Sequence, residues 1–83
     1  MYLHLGQSTV VIAEDIVGIF DIDNTTVSKK TRDYLSQAEK EDRVVYVSAE
    51  LPKSFIVCKD KKVYISQISS STLLKRLNNK INF

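Results

Sequence analysis

The chain has 83 residues, one cysteine and one histidine, and its 12 Lys and Arg against 10 Asp and Glu leave a net charge of +2. A length like this allows one domain, here residues 1–83, with a modest apolar interior and little stability to spare. Cys58 alone excludes an intramolecular disulfide, and Cys58 with His4 makes no metal clip, so packing or self-association must supply what staples would.

Residues 2–5 and 9–13 read as two short strands around the polar turn Gly6-Gln7-Ser8. The second of them, Thr9-Val10-Val11-Ile12-Ala13, is a continuous β-branched run, which predicts cover on both faces. A third apolar run, Ile16-Val17-Gly18-Ile19-Phe20, contains a glycine, the mark of a bulge or of a close approach to the backbone. Asp23-Asn24-Thr25-Thr26 supplies side-chain oxygens for the free amides of a helix start. Val27, Thr31, Tyr34, Leu35 and Ala38 then recur at helical spacing, and the helix should fade near Asp42.

Val44-Val45-Tyr46-Val47 predicts a fourth strand, and residues 48–53 a loop with the only proline, Pro52. Strands over 54–58 and 63–68 flank Lys59-Asp60-Lys61-Lys62 and should pair as a hairpin. Phe55 and Val57 point to one face and Ile56 and Cys58 to the other, all apolar, which predicts a central strand. Ser69-Ser70-Ser71-Thr72 caps a second helix with Leu73, Leu74, Leu77 and Ile81 on one side and Lys75, Arg76, Asn79 and Lys80 on the other. The expected fold class is α+β: a small mixed, mostly antiparallel sheet of about six short strands with two helices.

Charge is unevenly placed. Residues 1–52 carry nine acidic and five basic groups, a net −4, whereas residues 53–83 carry seven basic groups against Asp60 alone, a net +6. No Lys or Arg occurs in the first 24 residues. Such asymmetry suits a polyanion partner, or a subunit whose acidic side meets a neighbour's basic side; an ordinary solvated face is the plainer alternative. The apolar N-terminal stretch has no basic start and is broken by Glu14, Asp15 and Asp21, so it does not read as a signal peptide. No run approaches the roughly 20 apolar residues of a membrane span. The expectation is a cytoplasmic protein with no membrane partner, in keeping with a lone reduced thiol.

Three constellations invite a chemical reading. The run from Val17 through Asp21-Ile22-Asp23-Asn24-Thr25 resembles the first motif of haloacid-dehalogenase-type phosphatases, an apolar strand followed by Asp-x-Asp-x-Thr. That chemistry also needs a magnesium site completed by later carboxylates, a charge-offsetting lysine and a Rossmann-like sheet; after residue 26 no apolar strand ends in paired Asp, and 83 residues cannot supply that fold. A strand running into a helix cap accounts for the same residues. Cys58 on a central strand reads as inert packing, since a nucleophilic thiolate needs exposure and a base beside it. The third constellation is the basic groups: Lys53 in a loop, Lys61 and Lys62 in a hairpin turn, and Lys75 and Arg76 on a helix face. These five are the candidate nucleic-acid-binding residues, through phosphate contacts. No catalytic residue, metal site or cofactor is expected.

The order of features also resembles a known family. Met1-Tyr2-Leu3-His4-Leu5-Gly6 opens the chain and Asp15-Ile16-Val17-Gly18-Ile19-Phe20-Asp21 follows. Pro52-Lys53-Ser54 precedes the hairpin, and Ser69-Ser70-Ser71-Thr72-Leu73 with Lys75-Arg76 closes it. In this order and spacing the chain is similar to the RemA/RemB family of small bacterial regulators of extracellular matrix and biofilm genes, and most like the RemB branch. The resemblance implies a DNA-binding transcriptional regulator whose subunits assemble into closed rings, with DNA along the assembly and a RemA-type paralogue as a further partner. There is a departure from the family pattern, which places arginines in the loop before the hairpin and another after the second strand. Here that loop reads Ala49-Glu50-Leu51-Pro52-Lys53-Ser54, and the second position falls at the acidic Glu14-Asp15. Only Lys53 therefore carries over, and Lys75, Arg76 and the hairpin lysines must contribute more. An assembly module without direct DNA binding is the alternative.

Overall fold

The computed structural model describes residues 1–22 and 29–81, with the side chains of Lys80 and Ile81 outside that description. The helix cap expected at Asp23, Asn24, Thr25 and Thr26, and Val27 on the helix stripe, lie outside the described residues. Among the described residues there are six strands and two helices: β1 (Tyr2–Gly6), β2 (Thr9–Ile12), β3 (Ile16–Asp21), α1 (Lys29–Lys40), β4 (Val44–Tyr46), β5 (Ser54–Cys58), β6 (Val63–Ser66) and α2 (Ser70–Ile81). A 3-10 turn, Ala13–Asp15, joins β2 to β3. The fold class is the expected α+β. The strands divide between two sheets, a β1–β2 hairpin and a four-stranded sheet in the order β3-β5-β6-β4. Within the larger sheet β4 runs parallel to β6 and the other pairings are antiparallel.

β5 is central, as its two apolar faces require. Phe55 turns toward α1, where it packs with Ala38, Val63 and Ile65. Ile56 and Cys58 turn the other way, to a core with Leu3, Leu5, Val11, Val47 and Leu73. The molecule is therefore layered: α1 on one face of the four-stranded sheet, the β1–β2 hairpin with α2 on the other. Fully burying a Leu or Phe side chain contributes about 1.5–3 kcal/mol, so Leu3, Leu5, Ile56, Phe55 and Leu73, all essentially inaccessible, hold the layers together.

Local chemistry sets the joints. Asp42 at φ 56 takes the left-handed position after α1. The amides of Asp42 and Arg43 donate back to the carbonyls of Glu39 and Ala38, a Schellman closure made without glycine. Ser69 caps α2: its hydroxyl accepts from the Thr72 amide at 3.3 Å. Gly6, at φ +118, makes the hairpin turn, and a Cβ there would fall 2.8 Å from the Gln67 amide group. A register shift between Ile16 and Gly18 confirms the bulge read from the glycine.

Two expectations about burial fail. β2 is covered on one face only, with Val10 and Ile12 at 40% and 43% exposure. Among the described residues its only sheet partner is β1, and nothing lies over the outer face. The helix stripes are also narrower than their spacing suggests: Tyr34 on α1 and Leu74 on α2 are 38% and 43% exposed. Thr31 and Leu35 are half-buried and Ala38 fully buried, so the stripe's centre holds.

Candidate nucleic-acid interface

Lys53 stands at a fixed point of the backbone. Its amide donates to the Ser66 carbonyl at 2.8 Å and its carbonyl accepts from the Ile22 amide at 2.9 Å. The loop before it is ordered by an amide of Glu50 donating to the Ser48 hydroxyl at 3.0 Å. Lys53 projects into solvent beside Glu50, Leu51 and Gln67, which with it line a shallow hollow of about 440 Å³. Leu51 is 77% exposed.

Lys61 and Lys62 occupy the far end of the same hairpin. The turn is closed by the Cys58 amide donating to the Lys62 carbonyl and the Lys61 amide to the Cys58 carbonyl, with Lys61 at φ 70. Asp60, the one acid of the basic half, accepts from the Lys62 amide at 3.0 Å. Five strand residues, β5, separate this turn from Lys53, roughly 15 Å at the rise of an extended chain. Lys75 and Arg76 lie exposed on α2, one turn past its capped start. That start sits near Lys53, because the Ser54 hydroxyl donates to the Ile68 carbonyl at 2.7 Å. The five cations thus do not form one cluster: Lys53 shares an end of the sheet with the start of α2, and Lys61 and Lys62 hold the other end. None of the five is in an ion pair among the described residues.

Arg43, outside the predicted set, is tied down among the side chains next to the hairpin turn. Its guanidinium donates to Glu41 at 2.7 Å and to the Lys61 carbonyl at 2.7 Å, and lies 5.5 Å over the Tyr34 ring. Hydrogen bonding to Tyr34 and Glu41 raises its pKa, and bonds from Gln37 and Arg43 lower that of Glu41. The contacts to Tyr34 and Lys61 join residues 9 and 18 positions apart, which no local motif announces. Arg43 locks the helix end to the hairpin turn and is spent there. Cys58 is buried on β5, and burial, then the carboxylates of Asp60 and Asp15, push its thiol up to about 11. A thiol in that state is packing, as expected. Among the described residues no group of His, Cys, Asp and Glu is arranged to hold a metal ion, and no helix is long and apolar enough to cross a membrane.

A small layered α+β domain with dispersed, solvent-facing cations matches a known group over nearly its whole length. A model of the RemA-like family, described as extracellular matrix regulatory protein A-like, matches residues 2–77, and the chain belongs to that family. At the level of individual proteins it is similar to extracellular matrix regulatory protein B of Bacillus subtilis (strain 168), with 41% identity over 76 residues, 92% of this chain and 89% of the relative. The family is one of extracellular matrix regulators, and the resemblance read from the ordered motifs is borne out.

Proposed function

We propose that this chain is a DNA-binding transcriptional regulator of extracellular matrix genes that works in the cytoplasm as a ring-shaped homo-oligomer, without catalysis. The observation that carries the reading is the segregated charge on a chain of this family. Residues 53–83 hold seven basic groups against one acid, and Lys53, Lys61, Lys62, Lys75 and Arg76 all face solvent. Ammonium and guanidinium groups held this way bind phosphate and release counterions, which gives affinity without reading base sequence.

The scatter of the cations makes assembly part of the mechanism. One subunit offers two or three small contacts, each weak alone. Repeated around a ring, the same contacts act on one DNA at high effective concentration, and avidity exceeds the affinity of any single subunit. Closing a ring requires a heterologous interface, one surface of a subunit meeting a different surface of the next. A RemA-type paralogue that shares those two surfaces can enter the same ring.

The test is duplex DNA binding followed by fluorescence anisotropy across a salt series. Affinity falls steeply with salt, and Lys53→Ala, Lys75→Ala and Arg76→Ala each weaken it uniformly across sequences, lowering the logarithmic salt slope by about 1 for each phosphate left without its cation. An affinity indifferent to salt and to all three changes overturns the reading. Glu50 and Leu51 beside Lys53 favour a second reading, an assembly module that does not touch DNA directly, because they leave that loop a single cation. Assembled mass with no DNA shift at low salt selects it.

A further inference from the structure

Two apolar surfaces stay open on opposite sides of the four-stranded sheet. The first is the outer face of the β1–β2 hairpin. Strand alternation sends Leu3, Leu5 and Val11 into the core and leaves the cross-strand pairs Tyr2–Ile12 and His4–Val10 outside. Tyr2 is 60% exposed, and Val10 and Ile12 about two-fifths. The second is a groove of about 400 Å³ between β3 and α1. Through Leu35 and Ala38, α1 packs on β5, β6 and β4, and among the described residues nothing covers this face of the edge strand β3. Val17, Phe20, Tyr34 and Val57 line the groove, with Lys30 in its wall.

The two surfaces complement each other. One is a two-stranded ribbon and the other a trough. The hairpin and the turn behind it carry Glu14 and Asp15, with Glu14 also 3.6 Å from the Met1 ammonium, and no Lys or Arg precedes Lys29. The start of α1, along the trough, carries Lys29, Lys30 and Arg32, all exposed. Opposite charge steers and registers such a contact, while the apolar area removed from water supplies the driving force. The hairpin packs on one face of the sheet and the groove opens on the other, so they cannot meet within one subunit.

We infer that the hairpin face of one subunit seats in the β3–α1 groove of a second copy of this chain, joining subunits head to tail. The inference rests on the self-association proposed above and names the surfaces that carry it. Each subunit offers one ribbon and one groove, so every junction is the same and the series closes when the rotation per subunit divides a full turn.

Val10→Glu and Val17→Glu place a charge at an exposed position on each surface, and native mass spectrometry with circular dichroism reads the result. The unaltered chain is assembled, and each variant alone is folded and runs as a 9.5 kDa monomer. Mixed in equal amounts, the two variants form a species of two subunits and no larger one. The intact ribbon of the Val17→Glu chain enters the intact groove of the Val10→Glu chain, and the series stops there. Lys30→Glu is a second probe that leaves the packing untouched: it loosens the assembly several-fold, and adding Glu14→Lys restores much of the loss. A variant that keeps the unaltered mass overturns the inference, which is the outcome for Val17→Glu if hairpin faces pair with each other, and so does a mixture of folded variants that stays monomeric. An unaltered chain that is itself monomeric removes the self-association reading beneath it, and is told apart by its own mass.

Discussion

The hydroxyl of Ser66 donates a 2.6 Å hydrogen bond to the carbonyl of Leu5, joining the two sheets across 61 positions of sequence. The same oxygen accepts from the Ile68 amide at 3.0 Å, so one fully buried serine satisfies two backbone groups at the point where β6 turns toward α2. In Ser66→Ala both groups lose their partner in a dry interior, at about 1–3 kcal/mol. The expected outcome is a lower urea midpoint with little change in the slope, measured at fixed protein concentration. A midpoint within error of the unaltered chain would mean that water replaces the hydroxyl.

Phe20 lies on Phe55 with ring centroids 5.0 Å apart and planes 17° from parallel. Gly18 makes room for this: a Cβ there would stand 2.7 Å from the Phe20 ring. Gly18→Ala pushes the ring off its partner, forfeiting about 0.5–1.5 kcal/mol of stacking. Loss of unfolded-chain freedom offsets part of that, by about 0.4–1 kcal/mol. The net effect is a small destabilisation that turns into a stabilisation of about 0.4–1 kcal/mol in a Phe20→Leu background, where only the entropy term remains, and a double-mutant cycle in denaturant measures it. An equal cost in both backgrounds would place the strain in the backbone of the bulge.

What the sequence made legible follows from how far each signal reaches. The apolar faces of Phe55, Ile56, Val57 and Cys58 placed β5 at the centre, because a strand has only two faces and both were apolar. Gly18 announced the bulge and Ser69 the cap, each through chemistry within a few residues. The Val10-Val11-Ile12 run misled, because β-branching reports extended backbone and not what lies beyond the side chains. Leu74 and Tyr34 misled similarly: helical spacing draws a stripe, and the width of the neighbouring sheet decides how much of it is covered. For the candidate site, the five cations were read individually, and the length of β5 is what holds Lys53 and the Lys61–Lys62 turn apart. The Arg43 lock on Lys61 depends on two elements meeting, and no local pattern records it.

Burial holds the Cys58 thiol protonated up to about 11, above the roughly 8.5 of a free thiol. The raised value has a definite sign. Stability tied to the neutral thiol is fully present below the unfolded value and drains away as pH rises through the folded one. Tyr64 is raised too, mainly by burial, and acts in the same direction. The denaturant midpoint should therefore fall between pH 9 and 11, less so in Cys58→Ala. At pH 8 the native chain should leave a disulfide reagent unreacted until denaturant is added. Rapid labelling of the folded protein would contradict the packing role.

Leu51 is 77% exposed, two residues before Lys53, in a loop fixed at Ser48 and at the Lys53 backbone. An exposed apolar side chain there contributes little to folding, and its replacement should change stability by less than about 0.5 kcal/mol. Leu51→Arg adds a guanidinium beside the existing ammonium, on a backbone already held in place, so little ordering entropy opposes its use. If this loop meets phosphate, DNA affinity at low salt rises and the logarithmic salt slope steepens by about 0.9, the value for one further phosphate neutralised. Glu50→Gln, which removes a repelling carboxylate without adding a donor cation, should raise affinity with a smaller change in slope. Anisotropy titrations of the two variants separate the cases. A gain in both locates DNA at the Lys53 end of the sheet, whereas no gain in either moves the contact to α2 and the Lys61–Lys62 turn.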